Sequence, residues 1–157
     1  MRFSDFVCLD AIIPQLKASD RDGAIAELVS ALADAGKIGT AKPGNITEAV
    51  IKRENEASTG IGKGVAVPHV KHSAISQVVA AVGCSTEGID FSSLDKQPVY
   101  SVILLLSPAD SADKHLQAME NIFRNLQKDD FRSFLRQAQT TEQIKEAIFD
   151  TNENTFE

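Results

Sequence analysis

The chain reads as an α/β protein. Two runs, residues 78–84 and 99–106, are almost wholly apolar, as strands covered on both faces must be. Around them lie segments with apolar residues at helical spacing, such as Ile25, Leu28, Val29 and Leu32. Between these segments stand residues that cap helices or turn the chain. The alternation of the two periods predicts helices layered on a sheet.

Taken in order, Ala11, Ile12 and Ile13 begin a short strand. Ser19 with Asp22 has the form of a capping box, with Asp in place of Glu or Gln. The helix it opens presents Ile25, Leu28, Val29 and Leu32 on one face, and Gly36 suits a left-handed end. Asn45 is the candidate cap of a second helix through Ala49 and Val50, which places Arg53 near its C-terminal end. A glycine-rich loop follows, then Val65, Ala66 and Val67 as a brief buried strand that Pro68 stops. Residues 78–84 form the next strand, and Glu87 with Gly88 turns the chain. Residues 99–106 form the sheet's central strand, ended by Ser107 and Pro108. A polar stretch leads into a helix with His115, Met119, Ile122 and Leu126. Phe131, Phe134 and Leu135 mark another. Thr140 with Gln143 caps the last, whose packing residues are Ile144, Ile148 and Phe149. Residues 151–157 are polar and expected to fray.

The chain has 157 residues, which suits one domain, residues 1–157, about one core. Apolar residues make up 43% of it and aromatic residues only 6%, so that core is aliphatic. A net charge of −6 and scattered basic residues argue against a nucleic-acid partner. No apolar run reaches the length of a membrane span, and Met1 leads into no secretory leader, so the expected location is cytoplasmic. Cys8 and Cys84 have neither metal nor redox spacing and read as buried thiols of a reducing compartment.

The segment from Ser58 to Val70 carries the chemistry. Gly60, Gly62 and Gly64 let backbone N–H groups approach an anion, since no Cβ stands in the way. His69 follows where the strand stops, beside those donors. An imidazole with a pKa near 6.5 is partly neutral at physiological pH and can attack phosphorus. Arg53 can meet phosphate oxygens with its planar fork, or can be a solvated cation favoured at a helix end. Ser58 and Thr59 can donate hydroxyls to a phosphoryl group or shape the turn. His115, judged by position alone, reads as a solvated residue in the first turn of a helix. His72, three residues past His69, reads as a rim residue, because nothing nearby completes a zinc set.

At this point the chain resembles a known family. Glu54, then Ile61 and Gly62, then Val65, Ala66, Val67, Pro68 and His69 match the signature of the fructose/mannitol-type EIIA domain of the bacterial phosphoenolpyruvate:sugar phosphotransferase system (PTS). The nitrogen-regulatory EIIA proteins share that pattern. Arg53, the run from Ser58 to Gly62, the run from Gly88 to Phe91, Pro98 with Val99, and His115 with Leu116 fall in family order across nearly the whole chain. One position departs: the family usually has Gly, Ala or Cys after the histidine, and Val70 stands here, which bears on the shape of the pocket rim.

The resemblance implies a single domain with a mixed sheet of about five strands and helices on both faces. It implies that His69 takes a phosphoryl group from an HPr-type carrier on Nε2 and gives it to an EIIB cysteine. His115 would be the second active-site histidine and Arg53 a charge partner. Ser58, Thr59, Gly60, Gly62 and Gly64 are the candidate phosphate-binding positions. No cofactor or metal is implied, and a homodimer is left open. A sugar-uptake phosphotransferase and a regulator whose phosphorylation state controls its binding partners use the same histidine, so the motif does not separate them. A small-ligand binding module that has lost phosphotransfer is a third class, against which Arg53, His69 and His115 together argue.

Overall fold

A computed structural model of the protein describes residues 1–153. Among these residues a short helix α1 (Phe3–Phe6) leads into strand β1 (Val7–Ile13), followed by α2 (Arg21–Asp34) and α3 (Pro43–Glu56). Three short strands come next, β2 (Gly60–Gly62), β3 (Val65–Ala66) and β4 (His69–His72). Two long strands, β5 (Val79–Ile89) and β6 (Val99–Pro108), precede α4 (Ala112–Leu126), α5 (Asp129–Gln137) and α6 (Thr141–Glu153).

The strands form one six-stranded sheet in the order β1-β5-β6-β3-β2, with β4 paired to β6 beyond β3. β6 is central, as its apolar run requires. It lies antiparallel to β5 and parallel to β3 and β4, so the sheet is mixed. Side chains alternate across β6. Val102, Leu104 and Leu106 pack in the core shared with α2 and α3. Ile103 and Leu105 pack in the core shared with α1, α4, α5 and α6. Helices thus cover both faces.

The expected apolar face of α2 is buried, with Ile25, Leu28, Val29 and Leu32 all at 0% exposure. Gly36 ends that helix at φ 75°. Thr140 and Gln143 form the expected reciprocal cap: the Gln143 amide donates to Thr140 Oγ1 at 3.2 Å, and the Thr140 amide to Gln143 Oε1 at 3.3 Å.

Several expectations are corrected. The cap of α2 is Asp20, not Ser19: its carboxylate accepts from the Gly23 amide at 2.7 Å. Helix α3 begins at Pro43, two residues before Asn45, because a proline fits the first helical position, where no N–H is needed. Gly88 does not turn the chain. It lies within β5 at φ 88°, where the register with β6 shifts between Cys84 and Ile89. Its hydrogen is all that fits there, since a Cβ would meet Pro98 Cβ at 2.7 Å. Phe134 and Phe149 are 50% and 43% exposed, so neither is a core residue. Residues 151–153 of the expected tail continue α6, which runs through Glu153, and buried Thr151 donates its hydroxyl to Ile148 O at 2.6 Å. Residues 154–157 of that tail lie outside the described residues.

The cap makes a test. Removing an N-cap carboxylate costs about 1 kcal/mol. Asp20→Ala should lower the unfolding free energy from urea titrations by that amount, while Ser19→Ala leaves it nearly unchanged. The reverse order would restore Ser19 as the cap.

Candidate functional site

Pro68 interrupts β3 but does not end the sheet. Its carbonyl accepts from the Leu105 amide at 3.0 Å, and the chain resumes as β4 with His69 opposite Leu105. His69 therefore stands inside a sheet edge, not at the sheet's end as expected. Alternation sends His69 and Lys71 to one face of β4 and Val70 and His72 to the other. Val70 packs against the α2–α3 core. The residue that departs from the family pattern thus faces the interior and not the rim. His72 Nδ1 accepts from the Ala74 amide at 3.0 Å, which ties that ring into the turn after β4.

The His69 ring is fixed by its own strand. Nδ1 lies 2.8 Å from the Val67 carbonyl. A carbonyl can only accept, so Nδ1 carries the proton of the neutral ring and the lone pair falls on Nε2. Across the site stands His115, in the first turn of α4. The two ring centroids are 5.4 Å apart and the planes cross at 47°. His115 Nδ1 lies 2.7 Å from Ser107 Oγ, at the end of β6. Ser107 is fully buried. Neither partner was legible beforehand, since Val67 contributes only its backbone and Ser107 looked like the end of a strand.

Burial lowers the His69 pKa below its ordinary 6.5. The Val67 hydrogen bond opposes that shift, the Arg53 charge adds to it, Glu54 opposes it and Lys71 adds to it. The His115 pKa falls to about 4, through burial first and then the charges of His69 and Lys71. Both rings are therefore neutral at pH 7.

Arg53 sits in the last turn of α3, half-buried, with Nη1–H directed at Ala57 O at 3.4 Å. Its neighbour Glu54 is 2% exposed. Glu54 does not orient Arg53 through any hydrogen bond among the described residues. Its two oxygens accept from the Thr59 amide at 2.6 Å and the Thr59 hydroxyl at 2.8 Å, which anchors the start of the glycine loop.

In that loop the Ser58 hydroxyl donates to Phe91 O and accepts from the Gly60 amide at 3.0 Å. Both loop hydroxyls are thus engaged in building the loop. Gly60 is required by packing, because a Cβ there would lie 2.4 Å from Ser93 Oγ. Gly62 and Gly64, at φ 96° and 78°, flank Lys63 at φ 60° in the hairpin that joins β2 to β3. Val65 pairs with Ser101 and His69 with Leu105. That puts the hairpin about 13 Å from His69 at roughly 3.3 Å per residue. Geometry brings His69 and His115 together, with Arg53 and Lys71 within electrostatic reach, and sets Gly62 and Gly64 apart from them.

His69 and His115 open onto a shallow depression continued along α4 by Leu116, Met119 and Phe123. Leu116 is 58% exposed at its border. Cys8 and Cys84 are free and buried, and burial pushes the Cys84 thiol up to about 11, so it stays protonated. No helix among the described residues is long and apolar enough to cross a membrane.

Comparison with known proteins gives the chain a family and relatives of like fold. The family model described as "Phosphoenolpyruvate-dependent sugar phosphotransferase system, EIIA 2" matches residues 6–151. A PTS system fructose-specific EIIA component of Haloferax volcanii is 31% identical over 89% of this chain and 90% of its own length. A nitrogen regulatory protein of Bradyrhizobium diazoefficiens is 33% identical over 92% of each. The chain spans only 23% of a Bacillus subtilis PTS system fructose-specific EIIABC component that is 29% identical to it over 94% of this chain. The nitrogen regulatory protein IIA-Ntr of Neisseria meningitidis superposes with a TM-score of 0.83 at 22% identity, covering 92% of this chain and 97% of that one. The Escherichia coli enzyme IIA mannitol, solved in complex with phosphorylated enzyme IIB, superposes at 0.76 and 18% identity, covering 90% of this chain and 95% of that one. At these identities the two superpositions establish likeness of fold.

The lowered His115 pKa has a consequence for stability. Between about 4 and 6.5 the unfolded chain binds a proton at His115 that the folded chain does not, so stability falls as pH drops through that window. The stability advantage of wild type over His115→Asn should therefore shrink between pH 7 and pH 4.5 in urea titrations. A constant difference would place the His115 pKa at its ordinary value.

Proposed function

The chain belongs to the EIIA type 2 family of the phosphoenolpyruvate-dependent sugar phosphotransferase system, and from that membership we propose that it carries a phosphoryl group between proteins on Nε2 of His69. The observation that carries this reading is the Nδ1 hydrogen bond to Val67 O, which leaves Nε2 as the nucleophile.

The Nε2 lone pair attacks the phosphorus of a phosphohistidine on an HPr-type donor. The donor's N–P bond breaks and its electron pair returns to the donor imidazole. The proton stays on Nδ1 of His69, hydrogen-bonded to the Val67 carbonyl, throughout. In the second step the thiolate of an EIIB cysteine attacks phosphorus, the His69 N–P bond breaks, and the ring leaves as a neutral imidazole. No proton needs to move on His69 in either direction. Catalysis then rests on positioning and on stabilising the charge of the equatorial oxygens. Arg53 supplies a permanent positive charge and His115 an N–H donor. Two proteins must reach His69 in turn, and a shallow depression bordered by exposed Leu116 admits both.

A second reading shares the chemistry and differs in its purpose: His69 phosphorylation would control binding to regulatory partners. The 33% identity to a nitrogen regulatory protein over 92% of the chain favours it. The two readings separate by acceptor, since only the transport route passes label from phospho-His69 to an EIIB cysteine.

Incubation with phosphoenolpyruvate, enzyme I and HPr should add one acid-labile phosphoryl group, and His69→Ala should receive none. Full labelling of His69→Ala would sink the proposal. Loss of one preorganised donor typically costs about 10²–10³ in rate. His115→Ala should still be labelled but should transfer onward more slowly by that factor, and Arg53→Lys should also slow because a point charge does not reproduce the fork. Leu116→Glu should weaken partner-dependent phosphorylation without lowering the unfolding midpoint, and an unchanged rate would move docking off this face.

A further inference from the structure

We propose that Ser107 is a positioning residue that sets the tautomer of His115 opposite to that of His69, so that one ring presents a lone pair and the other an N–H to the same phosphoryl group. The inference rests on the phosphocarrier reading of the site for its functional consequence, but its structural basis is independent.

Ser107 is one of two buried serines in β6, the other being Ser101 near the strand's start. From Val102 to Leu106, β6 is wholly apolar and buried, and the next residue on the α4 face after Ile103 and Leu105 is a serine with no exposure. A buried hydroxyl needs partners for its proton and its lone pairs. Among the described residues its one hydrogen-bond partner is His115 Nδ1, at 2.7 Å. Accepting from Nδ1–H would leave the hydroxyl proton buried without an acceptor, at a cost of about 1–3 kcal/mol. Donating to Nδ1 satisfies that proton. The neutral ring of His115 then carries its hydrogen on Nε2.

The contrast with His69 follows from the two partners alone. At His69 the Nδ1 partner is a backbone carbonyl, which only accepts, so Nδ1 is protonated and Nε2 is bare. At His115 the partner is a buried hydroxyl whose proton has no other acceptor among the described residues, so it donates, Nδ1 is bare and Nε2 is protonated. The rings, 5.4 Å apart, become a nucleophile and a hydrogen-bond donor. A phosphoryl group on His69 Nε2 places its oxygens toward that donor. With the other tautomer, His115 would turn a lone pair toward phosphoryl oxygens and repel them.

Two measurements test this. ¹⁵N NMR of the imidazole nitrogens at pH 7.5 should show His69 protonated at Nδ1 and His115 protonated at Nε2. In Ser107→Ala the His115 resonances should shift toward a mixture of tautomers, with His69 unchanged. Transfer from phospho-His69 to an EIIB cysteine should then slow roughly ten-fold, as loss of an outer partner of a functional histidine typically does, and Ser107→Thr should restore both the tautomer and the rate. His115 found protonated at Nδ1 in the wild type, or an Ser107→Ala protein with unaltered His115 resonances and rate, would overturn the proposal. A wild-type protein with the stated tautomers that is never phosphorylated would leave the tautomer assignment standing and defeat the phosphocarrier reading instead.

Discussion

The parallel pairing of β4 with the end of β6 is the constraint on which the site depends. It sets His69 opposite Leu105 and Lys71 opposite Ser107. Because side chains alternate along a strand, that register decides which face each residue joins. A slip by one position would send His69 into the α2–α3 core and bring Val70 to the partner face. The register is secured from both ends. The Pro68 carbonyl bonds the Leu105 amide below, and Val70 packs into the aliphatic core behind. The His69 ring is therefore held by burial of its neighbours and not by a deep pocket of its own.

The electrostatics of the site oppose one another at close range. Burial, Arg53 and Lys71 favour the neutral His69 ring, while the Val67 carbonyl and Glu54 favour the charged one. Neutrality wins, which a nucleophile requires. On the proposed reading, the same positive charges that keep the ring neutral would also attract an incoming phosphoryl group. Glu54 tempers this field from within, because its buried carboxylate is held to Thr59 and cannot swing toward a substrate. The glycine loop is thus tied down by an acid that also sits in the field of the nucleophile, so loop shape and imidazole basicity share a residue.

How much of this was legible in the sequence varied with the range of the interactions. The long strands and the inner face of α2 were readable because burial writes itself as continuous or periodic hydrophobicity. The strands β2, β3 and β4 are two to four residues long, too short for a period to show. Ser19 and Asp20 are adjacent cap formers, and only the geometry of the first turn chooses between them. Gly88 reads as a turn because a positive φ and a β-bulge ask for the same residue. His69 was singled out by its setting and the family signature together. The partners that define its chemistry were not, since Val67 O is a backbone atom and Ser107 reaches His115 through a strand register that no local pattern encodes.

Val70 illustrates how a departure from a family pattern can be absorbed. Read along the chain, a larger residue beside the nucleophile suggests an altered rim. In the fold it points away from the depression, into the space between β4 and α3, where extra aliphatic volume adds to a core that has no tryptophan to fill it. The two faces of β4 answer to different demands: one to packing, the other to chemistry. On the proposed reading, discrimination between partners would then arise on the chemical face, from the exposed residues that border the histidines. Lys71 would act there through charge and Leu116 through apolar contact, and both can change without disturbing the register that holds His69.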